Sequence, residues 1–385
     1  MKLLILADDL TGALDTAVYF AECGASVLIR TAADPEQTAQ VLCIDMESRH
    51  LRAEEARSRA LQLTKAAVSE GFTHVYKKTD SVLRGNHGAE IAGVLQGLGA
   101  EQIQVVQGHP RLGRTVKNGI LLVDGVPVSQ SAFSKDPFNP VCCDGVEEIL
   151  VRTAPDLRGR VMIYDSETEL DLDAAYELIR ERGMLHCLAG CGGFAKVLAR
   201  KLSGTGNPVC FPKYRNMLLI CGSMHVSSRE QLITARKAGF PFHEVACGLT
   251  GEDFQPVAEG ISPASVVERI SSELKSEPVV MVGTPVTEHP AEQEKHNMEA
   301  MLGEIVSAVL EQQRPDVLCV FGGDTLHAVL QKLGVSEIRP EREILPGVIQ
   351  SSFRYHGKPM ELISKAGSFG GRETVTDLRR LLLEQ

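Results

Sequence analysis

Apolar residues in this chain recur as short uninterrupted runs, separated by stretches with helical spacing. Leu3 to Ala7 is wholly apolar and is stopped by Asp8 and Asp9, the pattern of a strand covered on both faces. A helix is expected from Gly12 to Cys23, closed by Gly24, followed by a strand from Ser26 to Ile29. The beat repeats with strand Val41 to Ile44, helix Ala53 to Ser69, strand Thr73 to Lys77, helix His87 to Gln96 and strand Gln102 to Val106. This alternation predicts a mostly parallel sheet with helices on both faces. Residues 108–145 break the rhythm with Gly, Pro, Asn and Asp, and Asp124-Gly125 predicts a hairpin turn. The alternation resumes with a strand in VMIYDSETE, a helix from Asp173 to Arg182, a strand in HCLAG and a helix from Gly193 to Leu202.

Ser, Gly, Thr, Asn and Pro then cluster, marking residues 204–215 as a linker. A second series opens at Met217 to Ile220. In the helix expected over 292–313, Met298, Met301, Leu302, Ile305, Val306, Val309 and Leu310 share one face. Strand Val317 to Phe321, helix Leu326 to Lys332, strand Met360 to Ser364 and a helix near Glu373 to Leu383 follow. The expected fold is α/β in two domains, 1–203 and 216–385. Each is a mostly parallel sheet flanked by helices, and the first carries an irregular hairpin insertion.

Charge narrows the partners. Forty Lys and Arg against fifty Asp and Glu leave a formal charge of -10, which argues against a nucleic-acid surface but not against small anions. None of the ten cysteines forms a CxxC pair, so they read as reduced thiols of a cytoplasmic protein, and no metal held by protein ligands is expected. The first apolar run is too short for a signal-peptide core, and no run approaches a membrane span of about 20 residues. No membrane partner is expected. A homodimer is the working expectation for assembly.

Ligands of open α/β sheets bind beyond the carboxyl ends of the strands, and five segments there carry chemistry. In ADDLTGA one of Asp8 and Asp9 suffices as a helix cap, leaving a carboxylate for substrate hydroxyls or Mg²⁺. In YKKTDSVLRGNHGAE, Lys77, Lys78 and Arg84 bracket Asp80, and the fork of an Arg suits a planar carboxylate. HPRLGRTVKNG adds His109, Arg111, Arg114 and Lys117, although a surface loop explains it equally well. FGGDTLHAVL places Gly322-Gly323-Asp324-Thr325 between strand and helix, where free N–H groups favour phosphate, although a plain turn with Asp324 as the helix N-cap also explains it. It is neither a Walker A loop nor a GxGxxG fingerprint. ISKAGSFGG and CGSMHVSSREQ add Gly/hydroxyl turns around Gly367 and Ser223. Three such turns in one domain read as a nucleotide pocket.

Together, LADDLTGALDTA, KKTDSVLRGNHGAE, GRTVKNG, CGSMHVSSREQ, FGGDTLHAVLQKLG and SKAGSFGG resemble, in order and over both halves, the four-carbon acid sugar kinases. The resemblance implies that the first domain binds a sugar acid such as threonate, erythronate or 3-oxo-tetronate, and that the second binds ATP with Mg²⁺. It implies acid contacts at Asp8, Asp9, Lys78, Asp80 and Arg84, and ATP contacts at Ser223, Gly322, Gly323, Asp324, Thr325 and Gly367. The product would be a 4-phosphate, with Asp9, Asp80 and Asp324 as candidates to orient or deprotonate the hydroxyl. Three departures bear on which acid is used: Cys191 replaces a serine, Ala366 and Ser368 alter a KSGNFG-like segment, and HPRLGR replaces a PAFPxxGR-like stretch. Two rivals stand beside this reading, a nucleotide-dependent oxidoreductase and a non-catalytic sugar-acid sensor. The missing GxGxxG weighs against the first, and the intact ADDL, GGDT and Ser223 against the second.

Overall fold

The computed structural model describes residues 2–31, 39–136, 139–204, 212–245, 263–284 and 292–383. Most of the expected linker, residues 205–211, lies outside them. The chain divides into two compact units, Met1–Asn207 and Pro208–Gln385.

The first unit runs β1 Leu3–Ala7, α1 Leu10–Glu22, β2 Val27–Arg30, β3 Val41–Asp45, α2 Ala53–Ser69, β4 His74–Lys78, α3 His87–Leu98 and β5 Ile103–Val106. It continues with β6 Arg114–Lys117, β7 Ile120–Val123, β8 Val126–Pro127, α4 Val146–Val151, β9 Val161–Ile163, α5 Glu169–Glu181, β10 Cys187–Gly190 and α6 Gly192–Ser203. Seven strands pair in parallel in the order β2-β3-β1-β4-β10-β5-β9. In β1, β2, β3, β5 and β10 every side chain is buried, as strands covered on both faces require. The insertion forms the separate antiparallel sheet β6-β7-β8. Its turn holds Asp124 at φ 51° and Gly125 at φ 80°, the left-handed pair that the Asp-Gly signal predicts. Helix α5 starts four residues before the expected Asp173, because Thr168 and Asp171 form a reciprocal capping box.

The second unit runs β11 Met217–Cys221, α7 Val226–Lys237, β12 Phe242–Glu244, α8 Pro263–Glu273, β13 Val279–Gly283, α9 Glu292–Gln312 and β14 Val317–Phe321. It ends with α10 Gly323–Lys332, β15 Glu337–Leu345, β16 Val348–Tyr355, β17 Lys358–Lys365 and α11 Thr374–Leu382. Strands β12-β13-β11-β14-β17 are parallel, and β16 and β15 extend the sheet antiparallel. All seven residues named above for the apolar face of α9 are buried. The two antiparallel strands escape sequence reading. Arg339, Glu341, Arg342 and Glu343 give β15 a loop-like composition around Pro340, and it forms because β16 supplies its backbone partners.

In both units the strand order reverses beside the first strand. β1 lies between β3 and β4, and β11 lies between β13 and β14. At such a switch point the loops leave in opposite directions and open a crevice at the carboxyl ends.

Candidate functional site

The switch point of the first unit gathers the loops after β1, β3 and β4. Asp9 caps α1, its Oδ1 accepting the Gly12 N–H at 2.7 Å. Asp8 is fully buried and is not a cap. Its Oδ2 accepts from Arg49 Nε at 2.7 Å, while Arg49 Nη1 lies 2.6 Å from Asp9 Oδ2 and Nη2 lies 3.9 Å from Asp80 Oδ2. Arg49 therefore bridges three of the carboxylates expected at the site. Sequence reading missed it because it sits in the MESRHLR loop after β3, outside the five segments singled out; the unexplained Asp8 is the available signal that a cation has to come from elsewhere.

Asp80 is saturated by its own loop. Its carboxylate accepts the N–H groups of Val82 at 3.0 Å and Arg84 at 3.1 Å, together with Arg84 Nε at 3.2 Å and Nη2 at 2.8 Å. Arg84 Nη1 reaches Asp136 at 3.2 Å, and the guanidinium lies 5.3 Å from the Phe133 ring centre. Leu83, inside this loop, takes a left-handed φ of 63°, a strain that its surroundings must hold. Lys78 is buried and donates to the Thr79 carbonyl at 2.9 Å, with Asp15 3.8 Å away.

Electrostatics assign these groups different work. Burial opposes the charge on Asp8 and Asp80, but Arg49 holds the first and Arg84 the second, so both carboxyls lie well below the usual range. Such carboxylates are poor proton acceptors. Asp9 has the most open side chain of the three, 30% exposed against 0% and 7%. Burial works against the Lys78 ammonium, and Asp15, Asp8 and Asp9 outweigh it, raising its pKa. Burial also raises Asp15 to about 6 against the pull of Lys78, which marks it as a further titratable neighbour that sequence reading did not single out.

Beneath the Asp80 loop lies a buried charged layer. The Asp80 N–H donates to His87 Nε2 at 2.9 Å, which leaves His87 Nδ1 as the donor to Glu90 Oε2 at 3.1 Å. Glu90 also lies 3.0 Å from Lys77 Nζ, both side chains having no exposure. Gln107 Nε2 donates to the Asp80 carbonyl at 2.8 Å.

The remaining cations of the insertion have other partners: Arg111 lies 3.8 Å from Glu169 and Lys117 lies 3.0 Å from Glu167. Burial lowers His109 to about 4, so it is neutral at physiological pH. Cys191 precedes α6 as a buried thiol facing the carbonyls of Gln107 at 3.0 Å and Gly108 at 3.3 Å, and burial pushes it up to about 11. The thiol there acts as a small hydrogen-bond donor, not as a reactive thiolate.

The switch point of the second unit brings together all three Gly/hydroxyl turns. Gly322 has φ 109° and ψ 131° and caps α10, so a side chain there would be strained. A Cβ on it would lie 3.2 Å from Ser223 Cβ, and one on Gly367 would lie 2.4 Å from Ser223 Oγ. Ser223 thus sits against both glycine turns. Asp324 is not the cap; it is exposed in the first turn of α10. Thr325 is buried beside Gly222 and Gly322. The result is a meeting of glycine turns with few side chains between them, suited to close approach by an anion.

A model described as a sugar-binding N-terminal domain matches residues 3–157, and one described as a nucleotide-binding C-terminal domain matches residues 218–375. Similar proteins include a D-threonate kinase of Salmonella typhimurium, 26% identical over 98% of this chain and 97% of the relative. A D-erythronate kinase of Heliobacterium modesticaldum is 25% identical (97% and 95% covered), and a 3-oxo-tetronate kinase of Methylobacterium radiotolerans is 27% identical (96% and 96%). Among solved structures, a Salmonella typhimurium protein superposes with a TM-score of 0.81 at 22% identity, covering 98% of this chain and 99% of that one. At that identity the likeness speaks for the fold alone. Among the described residues no helix is long and apolar enough to cross a membrane.

Proposed function

This chain belongs to the four-carbon acid sugar kinase family, and from that premise we propose that it transfers the γ-phosphoryl group of ATP to the terminal, 4-position hydroxyl of a four-carbon sugar acid. The observation that carries the reading is the cluster at the first switch point. Asp8, Asp9 and Asp80 face Arg49 and Arg84 there, with Lys78 beside them. Carboxylates suit the hydroxyls of the acid, and the two guanidinium groups and Lys78 suit its carboxylate.

In the reaction the hydroxyl oxygen forms a bond to the γ-phosphorus, the bond from that phosphorus to the β,γ-bridging oxygen breaks, and ADP leaves. The hydroxyl proton passes to a carboxylate. Asp9 is assigned this role, because it is the most open of the three and meets Arg49 through one nitrogen, whereas Arg84 holds Asp80 through two. Asp80 holds Arg84 and its loop in place. Ser223, Gly322, Gly323, Thr325 and Gly367 cradle the nucleotide phosphates. Mg²⁺ would arrive with ATP, held chiefly by phosphate oxygens and water, and the exposed Asp324 carboxylate fits the single protein donor such an ion needs. The bound ion would offset charge on the phosphates.

The test is ADP release from MgATP with D-threonate, L-threonate, D-erythronate and 3-oxo-tetronate. One or more acids should release ADP, and Asp9→Asn should lower kcat at least a hundredfold while the protein stays folded. Folded wild-type protein that releases no ADP across the panel refutes the kinase reading. Acid binding without ADP release would instead indicate a sensor.

A further inference from the structure

β17 ends at Lys365, and the chain continues as Ala366-Gly367-Ser368-Phe369-Gly370-Gly371. Lys365 is 3% exposed and has no carboxylate partner among the described residues. Its ammonium instead collects backbone carbonyls. Nζ lies 3.0 Å from Ala366 O, 3.0 Å from Phe369 O and 3.4 Å from Gly367 O. It also lies 3.1 Å from Ser228 Oγ and 4.5 Å from the centre of the Phe321 ring. Two helix α7 side chains pull on the same carbonyls: Ser228 Oγ donates to Gly367 O at 2.9 Å, and Gln231 Nε2 donates to Phe369 O at 3.0 Å.

This arrangement fixes the opposite face of the loop. In a trans peptide, the C=O of one residue and the N–H of the next share a plane and point in opposite directions. Turning the carbonyls of Ala366, Gly367 and Phe369 inward therefore turns the N–H groups of Gly367, Ser368 and Gly370 outward. None of those three N–H groups has a protein acceptor among the described residues. They lie on the loop that closes over Ser223, where a Gly367 Cβ would come within 2.4 Å of Ser223 Oγ. Gly367 and Ser368 offer two successive outward N–H groups, the unit of an anion-binding concavity, while the Phe369 N–H between Ser368 and Gly370 turns back to Ala366 O at 3.2 Å; a buried cation stands behind the loop.

We propose that Lys365 is a positioning residue that builds the phosphate cradle of the nucleotide site from behind, touching the loop carbonyls and not the phosphate. The inference rests on the nucleotide reading above and adds a residue and a mode of action to it. A lysine that met phosphate directly would need its Nζ at the surface. Here the charge acts through peptide groups that it aligns, and the lining of the cradle stays backbone.

The experiment compares wild type, Lys365→Met, Ser228→Ala and Gln231→Leu by calorimetric binding of MgATP, ADP and adenosine, with the KM for the sugar acid measured alongside. Lys365→Met should weaken MgATP and ADP at least tenfold, leave adenosine within twofold, and leave the acid KM within twofold. Ser228→Ala and Gln231→Leu, which each withdraw one donor from the same carbonyls, should show the same selective loss at two- to fivefold. A merely structural lysine would lower all affinities together. A folded Lys365→Met protein with an unchanged preference for ATP over adenosine overturns the proposal. Where Lys365→Met does not fold, the two milder variants decide it by the same ratio. Wild-type protein that binds no MgATP removes the nucleotide reading itself, and with it this inference.

Discussion

Replacing Lys77 by Met tests the buried layer beneath the proposed acid site. Lys77 Nζ lies 3.0 Å from Glu90 Oε2, and neither side chain has any exposure. At an effective dielectric constant near 20, that separation corresponds to an attraction of about 5 kcal/mol. Removing one member of such a pair leaves a buried charge uncompensated and costs roughly 3–5 kcal/mol. Glu90 would keep only Ser48 Oγ and His87 Nδ1 as partners. In a unit of this size each kcal/mol lowers Tm by about 2–4 °C, so the first unit should melt roughly 6–20 °C lower. Scanning calorimetry of Lys77→Met, Glu90→Leu and the double variant reads this directly. The double variant should be less damaged than the sum of the singles by about 2 kcal/mol or more, because it buries no unpaired charge. Burial opposes the Glu90 charge, but Lys77 and His87 outweigh it and lower the carboxyl from 4.5 to about 2, so its contribution is full above about pH 4.5 and is lost as pH falls toward 2. Because Glu90 orients His87 and His87 accepts the Asp80 N–H, the sugar-acid KM should rise with the ATP KM unchanged. A loss under about 1 kcal/mol, or strict additivity, would refute the reasoning.

Three further outcomes follow from the geometry. Arg49→Met, which strips Asp8 and Asp9 of their shared cation, should raise the acid KM at least tenfold and leave the ATP KM within twofold; equal effects on both substrates in steady-state kinetics would remove Arg49 from the acid site. Gly322→Ala puts a Cβ at φ 109° and 3.2 Å from Ser223 Cβ, a strain of about 1–3 kcal/mol, and should weaken MgATP tenfold or more in calorimetry with the acid KM unchanged. Burial lowers Lys365 to about 8 from 10.5, so the unfolded chain binds the extra proton between those values. The wild type should gain up to about 3 kcal/mol of stability relative to Lys365→Met as pH rises from 8 to 10.5, while its ATP KM rises over the same range. The neighbouring Cys221 and Cys319 thiols are both raised by burial, Cys221 to about 11, and burial and Lys365 lower His225, so none of these titrates between pH 8 and 10. A flat ATP KM across pH 7 to 10 would count against a charged Lys365 behind the cradle.

Much of the architecture is legible along the chain because parallel strands buried on both faces must be continuously apolar. The runs at Leu3–Ala7 and Val317–Phe321 and the helix Ala53–Ser69 coincide with their elements residue for residue. Acids and cations cluster after β1 and β4, and glycines and hydroxyls cluster after β11, β14 and β17. These are local properties: a strand end, a turn and a helix start are written within about ten residues of one another. What the sequence leaves open is which charge answers which. Arg49 is 41 residues from Asp8 and meets it only because β3 and β1 are neighbours in the sheet. Lys365 looks like any lysine at the end of a strand, and only the path of the following loop turns three carbonyls onto it. Local spacing determines the elements and the kind of chemistry each loop offers. The pairing of strands far apart in the chain decides which of those groups are buried together, and burial sets how strongly they act on one another.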